Sequence, residues 1–255
     1  MRWNCIGRSV VGTSHMSSGR ACDDVVHYKT IATIQPNDTL IVCVCDGAGS
    51  AEYGAVAAET VANRMVALLS EQITGGTPLT EGLIHSAAVT VYHELVTIAH
   101  ESETDITEYA CTLLGAVLLP DFAAFFQIGD GAIVRQDTGG DYLPVWWPDN
   151  GEYLNTTNFL IDDPELTNLR IAISDSRQTQ IAIFTDGLQM LALNNELRTG
   201  HTPFFAGLFP SVLAADTPDK EAVLNHKLAE YLQSEIINER TDDDKTLFLA
   251  AYCPR

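Results

Sequence analysis

Basic residues are scarce in this chain: its 255 residues hold 14 Lys and Arg against 34 Asp and Glu, a formal net charge of −20 at pH 7. No basic patch or basic helix is visible, and that balance disfavours nucleic acid and anionic membrane as partners. Also missing is any run of about 18 apolar residues, so no membrane span is expected. The opening Met1-Arg2-Trp3-Asn4-Cys5 lacks the apolar stretch of a signal peptide. A cytoplasmic location is the expectation that follows. The six cysteines show no C-x-x-C spacing, and none is followed six residues later by arginine. Free thiols are expected in a reducing compartment, and a thiolate nucleophile loop of the C-x5-R kind is not supported.

What is present is a set of aspartates at the polar ends of apolar runs. Leu40-Ile41-Val42-Cys43-Val44-Cys45 leads into Asp46-Gly47, Phe125-Phe126-Gln127-Ile128 into Gly129-Asp130-Gly131, and Ile181-Ala182-Ile183-Phe184-Thr185 into Asp186-Gly187. A fourth is inverted, with Asp242-Asp243-Asp244 preceding Thr246-Leu247-Phe248-Leu249. Runs rich in β-branched and aromatic residues predict buried strands. Each terminal carboxylate is then held at the rim of a sheet. A single Asp-Gly pair is more often a turn than a ligand. Several converging carboxylates repel one another unless a cation lies between them, and hard oxygen donors suit Mg2+ or Mn2+ better than zinc.

The pattern predicts strands at 9–11, 25–34, 39–45, 111–119, 123–128, 132–135, 169–173, 180–184 and 246–252. Helical periodicity covers 51–69, with Val56, Val61, Met65, Val66 and Leu69 on one face. A second helix is expected over 80–100 with Thr80 as N-cap, and a third over 219–238 behind Thr217-Pro218. That third helix would present Val223, Leu224, Leu228, Leu232 and Ile236 together. Residues 136–168 read as loop-rich, and Trp146-Trp147-Pro148 reads either as a lid or as loop packing. No repeat or linker divides the chain, so one α+β domain spanning 1–255 is expected, with helices covering antiparallel sheets.

Taken in order, Gly12-Thr13-Ser14-His15, Cys22-Asp23-Asp24, Asp46-Gly47-Ala48-Gly49-Ser50, Gly129-Asp130-Gly131, Thr185-Asp186-Gly187-Leu188 and Asp243-Asp244-Lys245-Thr246 resemble the metal-dependent type-2C protein phosphatases. The likeness is to a bacterial subgroup that opens with Gly-x-Ser-His, and it extends to Gly151-Glu152-Tyr153 and Asn155-Thr156-Thr157. Each motif is weak alone; the ordered set spans nearly the whole chain.

The resemblance implies a four-layer α-β-β-α sandwich with two antiparallel β-sheets and a channel at one edge holding two Mn2+ or Mg2+ ions. Asp46 then matches the aspartate that bridges both metals, and the Gly47 carbonyl a ligand of the first. Asp186 and Asp243 match the remaining direct ligands, Asp23 and Asp24 the acidic pair that holds metal-bound waters, and Asp130 the position of a third, weaker metal. The implied reaction is hydrolysis of phosphoserine or phosphothreonine in a protein substrate by a metal-activated water, without a covalent intermediate.

Two departures stand out. The arginine that usually grips the substrate phosphate is replaced by Gly19, leaving Arg20 or His15 as substitutes, with a structural role open for His15. The histidine that many members carry is Ala48 here, so either a metal-bound water protonates the leaving group or poor leaving groups turn over slowly. A catalytically weak or inactive phosphoprotein-binding module on the same fold is the alternative reading. Nothing in the sequence marks an oligomer interface.

Overall fold

Strands whose every residue is apolar need cover on both faces, and that requirement sets the architecture. The computed structural model describes residues 2–33, 38–148 and 157–253. Strand β1 (Arg2–Val10) is followed by a short helix α1 (Thr13–Ser18) and by strands β2 (Asp24–Ile31) and β3 (Thr39–Asp46). Two long helices come next, α2 (Gly54–Thr74) and α3 (Glu81–Glu101). Strands β4 (Leu113–Leu118), β5 (Ala123–Ile128), β6 (Ala132–Gln136), β7 (Tyr142–Pro144), β8 (Arg170–Ser174) and β9 (Gln180–Phe184) then follow. The last part holds helix α4 (Gln189–Ala192), a small hairpin of β10 (Leu193–Asn194) and β11 (Thr199–Gly200), and helices α5 (Thr202–Ala214), α6 (Pro218–Leu232) and α7 (Glu235–Asn238). Strand β12 (Lys245–Cys253) ends the fold.

Two five-stranded antiparallel sheets result, ordered β1-β12-β9-β6-β7 and β2-β3-β4-β5-β8. Alternation along β3 divides its side chains between two interiors. Leu40, Val42 and Val44 meet Phe248, Ile181, Ile183 and Ile133 between the sheets. Ile41, Cys43 and Cys45 face Val61, Met65 and Leu69 of α2 and Ile84, Val91 and Leu95 of α3. Strand β12 repeats the division: Leu247 and Leu249 lie under Phe205 and Phe209 of α5 and Leu228 and Leu232 of α6. Three apolar layers between four structural layers give the α-β-β-α sandwich. Cys43 and Cys45 share a side, their sulfurs 3.9 Å apart, and all six cysteines are free.

Thr80 caps α3 by accepting from the Leu83 amide at 3.1 Å, and Thr217 caps α6 through the Lys220 amide at 3.3 Å. Other details differ from the sequence reading. Strand β1 has nine residues where only 9–11 were expected. Arg2, Asn4, Gly7 and Arg8 interrupt its apolar pattern, and pairing with β12 from Arg2↔Cys253 to Val10↔Lys245 extends it nonetheless. The helix expected over 219–238 breaks after Leu232, and Ser234 stands at the N-cap of α7. The break turns Ile237 inward and leaves Ile236 exposed; Val223 and Val56 are exposed as well. Trp146 and Trp147 are loop packing, one against the inter-sheet core and the other against the α5–α6 core. The motif residues Gly151-Glu152-Tyr153 and Asn155-Thr156, and position 34 of the second expected strand, lie outside the described residues.

Candidate metal centre

Strand ends from both sheets meet at one edge of the sandwich. Asp46 is the last residue of β3, and Asp24, the first of β2, is its register partner. Asp130 follows β5 in the turn to β6, Asp186 opens the single helical turn after β9, and Asp243 stands two residues before β12. Asp46, Asp130, Asp186 and Asp243 line one cavity of about 210 Å3 together with His15, Gly47, Ala48, Gly49, Thr112 and Asp244.

Two glycines let the loops close on this edge. A Cβ on Gly12 would lie 2.2 Å from the Asp243 carbonyl carbon, and one on Gly187 would lie 2.1 Å from the Asp244 carbonyl oxygen. No side chain fits at either place. The rest of the Gly-x-Ser-His motif grips the same loop. Ser14 donates to the Asp242 carbonyl through its amide at 2.9 Å and its hydroxyl at 2.8 Å. His15 pairs through Nδ1 with Asp244 Oδ2 at 3.0 Å.

Asp244 is the residue that the sequence reading passed over. It is buried, and its Oδ1 accepts the Gly12 amide at 2.6 Å while Oδ2 accepts the Asp23 amide at 2.6 Å besides meeting His15. One carboxylate therefore joins the β1–α1 loop, the acidic pair and the entry to β12. The triple aspartate was a visible signal of something, but nothing local distinguished its third member. Three hydroxyls were also missed. Thr112 Oγ1 accepts the Asp46 amide at 2.9 Å, and the Thr112 amide returns a bond to the Asp46 carbonyl at 2.8 Å. Thr185 donates to Asp24 Oδ2 at 2.7 Å and accepts the Thr246 amide at 3.0 Å. Thr157 donates to Asp130 Oδ2 at 2.6 Å, and Gln189 donates to the Asp130 carbonyl.

The remaining carboxylates are poorly neutralised. Burial, then repulsion from Asp24 and Asp186, pushes Asp46 well above the usual carboxylate range. Burial, then Asp130 and Asp243, raises Asp186 to about 6. Asp24 is raised by burial as well, and its Oδ1 has no hydrogen-bond partner. Arg20 answers only one of these groups. It donates to Asp23 Oδ2 at 2.5 Å and to the Gly49 carbonyl at 2.7 Å, and it is not among the residues lining the cavity. An acceptor-only donor set with an orphaned buried oxygen fits a hard divalent cation, which would reverse the cost of crowding these charges. Asp23, His15 and Asp244 also lie within 4.8 Å of one another, but their mutual and main-chain hydrogen bonds account for that cluster.

Known proteins share this arrangement of elements. A profile of the family described as Protein phosphatase 2C matches residues 11–233. The chain is 37% identical over 253 residues to Serine/threonine-protein phosphatase 3 of Escherichia coli (strain K12), covering 99% of each. Among solved structures, a bacterial serine phosphatase superposes with a TM-score of 0.65 at 14% identity over 100% of both chains. The catalytic domain of the serine threonine protein phosphatase PstP, in complex with two manganese ions, superposes with a TM-score of 0.61 at 14% identity over 99% of each. These two structures share the fold, while the family match and the end-to-end relative speak to ancestry: the chain belongs to the protein phosphatase 2C family.

Proposed function

We propose that this protein hydrolyses phosphoserine and phosphothreonine in protein substrates with the help of Mn2+ or Mg2+. The observation that carries the reading is the convergence of Asp46, Asp186 and Asp243, from strand ends on both sheets, into one cavity with too few donors to neutralise them. Asp46 and the Gly47 carbonyl would hold one ion, and Asp46, Asp186 and Asp243 the other. Asp23 and Asp24 would act through water, and Asp130 would serve a third, weaker ion. Divalent ions bound there supply Lewis acidity and a water of lowered pKa.

The chain's own residues fix the geometry of that chemistry. Thr112 anchors the Asp46 backbone, Thr185 orients Asp24, and Thr157 orients Asp130. His15 stands on the cavity wall, where it can meet a substrate phosphoryl group. Arg20 could do so only by exchanging its bond to Asp23. The net charge of −20 disfavours nucleic acid as a partner. Among the described residues no helix is long and apolar enough to cross a membrane, and six free thiols fit a cytoplasmic location.

The test is hydrolysis of p-nitrophenyl phosphate and a phosphothreonine peptide by the purified protein with EDTA, Mg2+ or Mn2+. Metal-dependent phosphate release from the peptide, lost in Asp46→Asn, is the expected result. Metal binding by calorimetry without turnover of either substrate would instead favour a phosphoprotein-binding module.

A further inference from the structure

Cleaving a phosphoserine ester expels an alkoxide, a far poorer leaving group than a phenolate, so the reaction needs a proton delivered to the seryl oxygen. The described residues lining the cavity are mostly carboxylates, hydroxyls and glycines; His15 is their one imidazole, and no lysine or arginine is among them. Its ring is held on one side only. Nδ1 is bound to the buried Asp244 at 3.0 Å, and the His15 side chain is 14% exposed. Nε2, on the opposite side of the ring, has no hydrogen-bond partner among the described residues. Asp244 is itself immobilised by the Gly12 and Asp23 amides, so the ring is backed by a fixed carboxylate. A histidine oriented through one nitrogen by a buried carboxylate, with the other facing substrate, is the arrangement that serves proton transfer in hydrolytic dyads and triads.

We propose that His15, positioned by Asp244, is the general acid that protonates the leaving seryl or threonyl oxygen. The inference rests on the phosphatase reading above. In the step, the bond from phosphorus to the seryl oxygen breaks and its electron pair stays on that oxygen. The oxygen takes the Nε2 proton of the doubly protonated ring. The attacking water forms the new bond to phosphorus and gives up one proton to solvent. His15 regains a proton from solvent, so serine and inorganic phosphate leave with atoms and charge balanced. Ala48, which lines the same cavity, has no proton to give, and His15 would supply the proton that a methyl group there cannot.

The experiment compares wild type and His15→Gln on a phosphoserine peptide and on p-nitrophenyl phosphate, with Mn2+ present. Glutamine can still donate a hydrogen bond to a phosphoryl oxygen but cannot deliver a proton, so phosphate binding and acid catalysis are separated. The ratio of peptide to aryl phosphate turnover should fall by about 100-fold in the variant, as expected for loss of a general acid. A ratio within about 3-fold of wild type, whatever the absolute rates, would overturn the role. A second measurement needs no variant: across aryl phosphates of rising leaving-group pKa, wild-type rates should stay nearly flat, and a steep decline would also overturn it. Wild-type turnover that Asp46→Asn abolishes establishes the phosphatase reading independently. If wild type cleaves neither substrate, that reading and this one fall together.

Discussion

Two carboxylate sites lie side by side at the edge of the sandwich, and they are opposites. Around Asp244 every acceptor is used: two main-chain amides and an imidazole converge on one side chain. Around Asp46 and Asp186 donors are few, and burial first, then repulsion from neighbouring aspartates, raises their proton affinities. The residue type is the same on both sides of the cavity. The supply of donors differs, and that supply separates a carboxylate that holds the fold together from carboxylates that we propose hold a cation. A protein that tolerates the second arrangement trades stability for a binding site.

The contrast is broken most sharply by exchanging one residue on each side. Asp46→Asn should lower metal-dependent phosphate release by about 1,000-fold, the scale seen when a central transition-state contact is removed. The same change should raise the stability of the metal-free protein by about 1 kcal/mol, because it removes a buried, repelled charge. Urea unfolding in EDTA measures that gain; a loss of stability would show that the Asp46 side is not under electrostatic strain. Asp244→Ala should do the reverse. It should cost about 3 kcal/mol by leaving the Gly12 and Asp23 amides without acceptors, and an unchanged midpoint in the same titration would refute the structural role.

Smaller perturbations sharpen the comparison. Thr185→Val removes a donor to Asp24 and an acceptor for the Thr246 amide, and should cost about 1.5 kcal/mol on the same unfolding assay. A pH series separates the sites without mutation. Asp186 titrates near 6 in the fold, above its unfolded value, so the native state binds more protons than the unfolded chain between those two pH values. Stability of the metal-free protein should therefore be favoured at low pH and fall as pH rises through about 6. Saturating Mn2+ should flatten that fall by occupying the site the proton leaves. A metal-free melting temperature that rises over the same interval would contradict the assignment.

The carboxylates could be found in the sequence because each ends an unmistakable strand. The runs 40–45, 125–128, 181–184 and 246–252 have no other good conformation, and an aspartate at such an end is placed at a rim whatever the topology. Strand β1 was only partly legible, since Arg2, Asn4 and Gly7 make a poor strand until β12 pairs with them. The end of α6 was misjudged because periodicity through Ile236 looks helical, whereas packing buries Ile237 instead. The residue pattern alone implied antiparallel sheets covered by helices; the four-layer sandwich was implied by the family resemblance, and the alternation of β3 and β12 between two interiors shows how the chain builds it.

Local pattern thus settled the central strands, most helices and where charge collects, though not the extent of β1 or the end of α6. Tertiary structure alone decided which charges are satisfied. Asp244 meets Gly12 across 232 positions of sequence, and Thr185 meets Asp24 across 161. A hydrogen bond is decided by distances of about 3 Å, and no pattern along the chain brings such remote groups that close before the two sheets have packed face to face.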